Sequence, residues 1–303
     1  MTGHTFDIII PTFHPGEEFA GLLSMIRKQT ALPEKIILME TLSGDDTLQD
    51  FPGCECYPVK KEDFDHAATR RLGVSHSDAE AFIMMTDDAI PADEFMCENL
   101  MKALYSDEKV ATAYGRQLPR EDCREAEKFT RSFNYPEESS VKDIGDLPRL
   151  GIKTYFASNV CCAYKRNIWD KAGGFTERAV FNEDMIYSHT VMEAGYSVAY
   201  AADARCIHSH NYGAAAQFRR NFDLGASQAM HPEVFGGIRS EGEGIRLVKS
   251  TAGHLIKVGK WYQIPGFFVV SAARYMGYRL GKKYDKLPKA AVLRCALNRD
   301  FFR

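Results

Sequence analysis

Ala81-Phe82-Ile83-Met84-Met85-Thr86-Asp87-Asp88 is a run of five apolar residues that passes through one threonine into two acids. An unbroken apolar run of this length reads as a strand buried on both faces. Acids just beyond it stand at its carboxyl end, where open α/β sheets bind their ligands. Working back toward the N-terminus, residues 6–10 form another run, apolar but for Asp7, that stops at Pro11. Residues 35–39 give a further strand, followed by the turn formers Ser43-Gly44-Asp45-Asp46, and residues 55–59 a weaker one. Between these lie Phe19, Leu22, Leu23 and Ile26 at helical spacing, and a short helix over 67–74. Strands alternating with helices predict a mostly parallel sheet covered on both faces. Glu40, Asp45, Asp87 and Asp88 then fall at its ligand-binding edge.

Downstream, residues 120–150 are polar and read as an irregular loop region. Strand patterns return at 153–156 and 160–164, and Gly173-Gly174-Phe175 is a turn. Asn182-Glu183-Asp184 opens a helix, with Asn182 as its cap and Gly195 at its end. Residues 197–201 form a strand leading into Arg205-Cys206-Ile207-His208-Ser209-His210. Residues 236–253 are glycine-rich and read as a linker, and 255–280 as helix. The expected organisation is a catalytic domain over 1–235, then a linker and C-terminal helical extension over 236–303.

The 303 residues suffice for a large domain with an extension, and a net charge of -3 argues against a nucleic-acid partner. None of the eight cysteines forms a CxxC pair, so a structural zinc site is not expected and a reducing, cytoplasmic setting fits. The N-terminal residues lead straight into a strand pattern with no basic region or cleavage site, so no signal peptide is expected. The apolar run over 264–273 is about half of the roughly 20 residues a spanning helix needs. From Arg274 to Arg303 there are nine Lys or Arg against two Asp, so the tail is basic. With the aromatic residues around Trp261 and Tyr275, that tail predicts peripheral contact with the inner face of the plasma membrane, against the alternative of ordinary packing on the catalytic domain.

Each chemical candidate has an ordinary reading beside the functional one. Asp87 and Asp88 can grip Mg²⁺ or Mn²⁺ through oxygen, or simply form a solvated turn. Glu40 and Asp45 can accept bonds from a base or ribose, or line an acidic turn. Glu183 and Asp184 can act on an acceptor proton, or just complement a helix N-terminus. His208 and His210 alternate on an extended segment, so both can face one cleft.

Taken together, the motifs are specific. Ile8-Ile9-Ile10-Pro11-Thr12-Phe13, the acids of 40–45, Asp87-Asp88, Ala172-Gly173-Gly174-Phe175 with Asn182-Glu183-Asp184, and His208 follow one another as in family 2 glycosyltransferases, which the chain resembles over roughly residues 6–225. Phe64-Asp65-His66-Ala67-Ala68-Thr69-Arg70, Thr86-Asp87-Asp88-Ala89-Ile90-Pro91, and the tail with Gly277-Tyr278-Arg279-Leu280-Gly281 and Leu287-Pro288 resemble bacterial rhamnosyltransferases within that family. Three positions depart from their pattern: Asp87 stands for Gln, Arg71 for Asn and Glu40 for Asp.

The resemblance implies a GT-A fold: a Rossmann-like, mostly parallel mixed sheet flanked by helices. It implies a hexosyltransferase that inverts the anomeric centre, using a nucleotide-sugar donor, dTDP-rhamnose first, and a glycan or lipid-linked glycan acceptor in surface polysaccharide synthesis. Pro11, Thr12, Glu40, Asp45, His66, Arg70 and Asp87 would bind the donor. Asp88, His208 and His210 would hold Mg²⁺ or Mn²⁺. Asp184 would be the general base, with Glu183 orienting it or the acceptor; Ser158 and Asn159 either touch a substrate or form a turn. A different UDP-, GDP- or dTDP-sugar, a nucleotidyltransferase and a non-catalytic sugar-nucleotide-binding protein are the alternatives. Pro11-Thr12-Phe13-His14-Pro15 lacks the glycine-rich phosphate loop of the second, and the presence of the metal acids and Asp184 speaks against the third.

Overall fold

Four parallel strands make one half of the sheet, in the order β3 (Glu55–Lys60), β2 (Ile36–Leu42), β1 (Phe6–Thr12) and β4 (Ala81–Met85). In this computed structural model, which describes residues 3–238 and 241–303, the sheet continues as a mixed half. It is built from β5 (Ile90–Pro91), β6 (Val110–Leu118), β7 (Ser140–Lys142), β8 (Cys161–Lys165) and β9 (Ser197–Ile207). β8 runs antiparallel between β4 and β6, β9 is parallel to β6, and β5 and β7 pair antiparallel with β9.

The helices, in chain order, are α1 (Glu17–Ile26), α2 (His66–Ser75), α3 (Met96–Leu104), α4 (Glu125–Asn134), α5 (Leu147–Leu150), α6 (Arg166–Ala172), α7 (Glu183–Glu193), α8 (Ala214–Met230), α9 (Pro232–Phe235), α10 (Glu241–Lys257), α11 (Ile264–Gly281) and α12 (Lys289–Cys295). The residues group into two compact units. The first takes the chain as far as Leu118, then Tyr135–Arg178 and Glu183–His208; the second takes Pro119–Asn134, Ala179–Asn182 and the described residues from Ser209 on.

In the first unit, strand alternation splits β1 between two faces. Ile8 and Ile10 join a core with Phe19, Leu22, Leu23 and Ile26 of α1, while Ile9 points the other way, beneath α2. Burial on both faces explains the apolar runs Ile8–Ile10 in β1 and Ala81–Met85 in β4; Asp7, also buried in β1, accepts the Lys35 N–H at 2.9 Å. The register Thr12 with Glu40 and Ile9 with Met84 aligns the carboxyl ends of β1, β2 and β4, and so gathers the acids that follow them.

In the second unit, α8 and α11 approach through glycines. A Cβ at Gly277 or Gly281 would overlap the backbone of Phe218 or Phe222. Glu125 ties α4 to the α10 region by accepting from His254 at 2.8 Å and Lys260 at 2.9 Å. Asp223 of α8 accepts the backbone N–H groups of Leu297 at 3.2 Å and Asn298 at 2.8 Å.

Several local expectations need correction. The polar stretch 120–150 contains α4, β7 and α5; α4 has no fully buried residue and carries a partly covered ion pair one turn apart (Arg131 to Glu127, 3.0 Å). Residues 153–156 belong to a 3₁₀ turn over Gly151–Tyr155, not a strand. Much of the supposed linker is α10, whose glycines lie among Ile245, Leu247 and Val248. Asn182 adopts a left-handed conformation, φ 65°, instead of the extended backbone usual at a helix cap. Gly195, at φ 86°, does close α7.

Candidate active site

The site's first fixed point is the start of α2. Asp65 caps the helix by accepting the N–H groups of Ala67 and Ala68, each at 2.9 Å. That sets His66 and Arg70 one turn apart, with Arg70 Nη1 3.2 Å from His66 Nδ1. Arg70 is 5% exposed, and its Nη1 lies 3.3 Å from Glu183 Oε1 at the start of α7. On the outer side of α2, Arg71 donates to the Gly173 and Phe175 carbonyls, pinning the glycine turn, whose residues 173 and 174 both have positive φ.

Glu183 and Asp184 are neighbours with opposite electrostatics. Burial alone would raise Glu183, but Arg70, His66 and the Asn159 amide outweigh it and hold the carboxyl below its usual value. Asp184 is raised, first by burial and then by the charge of Glu183. Asn159 organises both acids: its side-chain N–H donates to Glu183 at 2.8 Å and its backbone N–H to Asp184 at 3.1 Å. The hydroxyl of Tyr164, fully buried, donates to Asn159 at 2.7 Å and fixes the amide. Asn159 therefore orients the acids, a role its place in an apparent turn does not reveal.

The paired acids after β4 form the second fixed point. Asp87 accepts the Phe13 N–H at 3.4 Å, and burial together with the charge of Asp88 pushes its carboxyl up to about 6, while Arg70 pulls it down. Arg70 thus lowers Asp87, Glu183 and Asp184 alike. Asp88 Oδ2 lies 3.4 Å from His208 Nε2. His208 Nδ1 meets Gln117 Oε1 at 3.1 Å, and Gln117 donates onward to Ser158 at 2.9 Å. A carbonyl oxygen only accepts, so Nδ1 donates to Gln117 and Nε2 is the ring nitrogen that faces Asp88. An outer-shell acceptor behind an imidazole is the arrangement that prepares a metal ligand. One carboxylate and one imidazole suit Mn²⁺ well and Mg²⁺ through the oxygen. Gln117 lies within β6, and nothing in its sequence context marks it. His210 follows His208 by two residues and belongs to the second unit.

The third element is a polar cleft lined by His14, Glu40, Leu42, Asp45, Asp46 and Gln49. Glu40 is part of β2 rather than beyond it, buried, and accepts the Gln49 N–H at 2.8 Å. Asp45 is exposed, while Asp46 accepts from the Ser43 N–H at 2.8 Å and lies 3.2 Å from His14 Nε2. His14 and Asp46 add to the acids read from sequence. Pro11 and Thr12 end β1 beside this cleft; the Thr12 hydroxyl is buried with no protein partner among the described residues.

A mixed nine-stranded sheet with acids gathered at its carboxyl edge defines the GT-A class of nucleotide-sugar transferases. Residues 7–173 match the family described as Glycosyl transferase family 2, and the chain belongs to that family and is a hexosyltransferase-type glycosyltransferase. It is 38% identical over 93% of its length to the O-antigen chain rhamnosyltransferase RfbN of Salmonella typhimurium, covering 90% of that protein. It is 34% identical over 94% of its length to the O-antigen chain rhamnosyltransferase WbaN of Salmonella anatum, covering 91% of it. In fold it is similar to the mannosyltransferase PcManGT of Pyrobaculum calidifontis, solved with GDP-Man and Mn²⁺: TM-score 0.54, 16% identity, 99% of this chain and 84% of that one. It is also similar to GalNAc-T7, solved with UDP, GalNAc and Mn²⁺: TM-score 0.52, 11% identity, 68% of this chain and 44% of that one.

Proposed function

We propose that this chain is an inverting rhamnosyltransferase, moving rhamnose from dTDP-rhamnose onto a hydroxyl of a glycan or lipid-linked glycan during surface polysaccharide synthesis in the cytoplasm. The observation that carries the reading is the geometry at the start of α7, where Glu183 lies 3.3 Å from Arg70 while its neighbour Asp184 has, among the described residues, only the Asn159 and Met185 backbone N–H groups, and burial beside Glu183 raises the Asp184 carboxyl. Pairs of titratable groups driven apart by their surroundings mark acid–base assignments. Asp184 accepts the proton of the acceptor hydroxyl as that hydroxyl attacks. Glu183 stays charged against Arg70 and positions the acceptor and Asp184. The similarity to the two rhamnosyltransferases supports the sugar, and the cleft with Glu40, Asp45, Pro11 and Thr12 supports a nucleotide site. His66 and Arg70 would stand behind the diphosphate, with Asp87 beside it.

Asp88 and His208 would hold Mn²⁺ or Mg²⁺. Such an ion, when bound, neutralises charge on a departing diphosphate. Gln117 orients His208 with Nε2 toward Asp88, and Asn159 keeps both acids of α7 in place.

A donor screen tests the reading. Purified enzyme with Mn²⁺ and a lipid-linked glycan extract should release nucleoside diphosphate from dTDP-rhamnose and little from UDP- or GDP-sugars. Equal turnover of a UDP- or GDP-sugar would reassign the donor, and nucleotide release from none of them, with the folded protein verified, would remove the enzymatic reading.

A further inference from the structure

The second unit contains a helix whose large apolar side faces outward. α11 packs on α8 through its small residues: Ala273, Gly277 and Gly281 are the buried ones. Its bulky residues lie on the opposite side. Phe268, Val269, Tyr275, Met276 and Leu280 are exposed, Val269 at 62% and Met276 at 54%. With Ala272 these positions make one stripe at spacings of three and four. A helix on the surface of a soluble domain has the reverse arrangement, apolar stripe inward and polar face out.

The apolar surface continues before the helix. Trp261 and Tyr262 are 67% and 64% exposed, and Ile256 and Val258 near the end of α10 are also exposed. Exposed apolar area of this extent marks a docking surface. Its electrical surroundings say what docks there. Residues 244–284 contain eight Lys or Arg and no Asp or Glu. Two acids of α4 face the segment, Glu125 against His254 and Lys260 and Glu127 against Arg274. Lys249, Lys257 and Lys283 stand exposed on the same segment.

We infer that this face of α11, with Trp261 and Tyr262, docks onto the anionic leaflet of a lipid bilayer. The apolar stripe enters the boundary between headgroups and acyl chains, where Trp and Tyr are favoured. The flanking lysines reach the acidic headgroups, their stems lying along the apolar surface. Among the described residues no helix is long and apolar enough to cross a membrane, so the contact is peripheral. The proposal rests on the second unit alone and is independent of which sugar the first unit transfers.

Co-sedimentation with vesicles tests it, using the full-length protein. Wild type should pellet at low salt with phosphatidylcholine vesicles containing phosphatidylglycerol and stay soluble with pure phosphatidylcholine. The double variant Lys257→Gln/Lys283→Gln should weaken partitioning about thirty-fold, at roughly 1 kcal/mol per cation near the surface. The double variant Phe268→Ser/Met276→Ser should lose binding at every salt concentration. Both should keep the wild-type melting temperature, because the changed side chains are exposed. Failure of wild type to bind acidic vesicles overturns the proposal, as does equal binding to neutral ones. A lipid-free dimer in sedimentation velocity that Phe268→Ser/Met276→Ser dissolves would also overturn it, assigning the face to a second copy of the chain.

Discussion

Asp184 and Glu183 share one helical turn, yet Arg70 favours the charge on one while burial and a neighbouring charge disfavour it on the other. A base must be unprotonated to act, so the rate should fall as pH drops, with the acidic limb above the ordinary carboxylate range. A kcat–pH profile checks the limb; one placed at the usual carboxylate value would contradict the assignment. Asp184→Asn retains shape but not basicity and should lose on the order of 10²–10⁴ in kcat with donor affinity nearly unchanged. Single-turnover kinetics with a separate donor-binding titration distinguishes that from a binding defect. At the metal side, Asp88→Ala should abolish transfer with the fold intact, and His208→Ala should weaken metal activation more than His210→Ala. Gln117→Leu removes the acceptor behind His208 and should raise the Mn²⁺ concentration for half-activation by roughly 10–100-fold. An unchanged Mn²⁺ titration would leave Gln117 a packing residue only.

At the scale of elements, α8 and α11 lie close because a glycine stands at each backbone contact: Gly277 and Gly281 of α11 against Phe218 and Phe222, and Gly225 of α8 against Tyr278. Gly277→Val puts a branched side chain against the Phe218 carbonyl and should cost about 1–3 kcal/mol, read as a lower melting temperature. An unchanged melting temperature would mean the pair can separate freely. Asp223 of α8 holds residues 297 and 298, and burial raises its carboxyl from 3.8 to about 6. The native state therefore binds this proton more tightly than the unfolded chain. Its contribution is present below the unfolded value and is lost as pH rises through the folded one, by about 3 kcal/mol at most. Asp223→Asn should flatten that part of the stability curve, and a denaturant series across those pH values measures it.

For the whole molecule, donor and ion should stabilise the fold together, because both would bind only the native state. dTDP-rhamnose with Mn²⁺ at about a hundred times its Kd should add about 2.7 kcal/mol, seen as a melting shift that EDTA removes. A shift of equal size without any divalent ion would detach the metal from donor binding. By itself the sequence determined most of the parallel half of the sheet, because β1, β2 and β4 are buried on both faces and leave apolar runs, while the half-exposed β3 leaves a weaker one. It also determined the acids at the sheet edge, because strand ends place them there, and so the family. It did not reveal α4, β7 or α10: α4 is held by ion pairs, β7 is only three residues long, and glycines mask α10. Nor could it assign roles to Gln117, Asn159 or Arg71, whose partners lie 91, 24 and 102 residues away along the chain. Periodicity records which side of an element is buried, and only tertiary packing decides which distant polar atoms meet there.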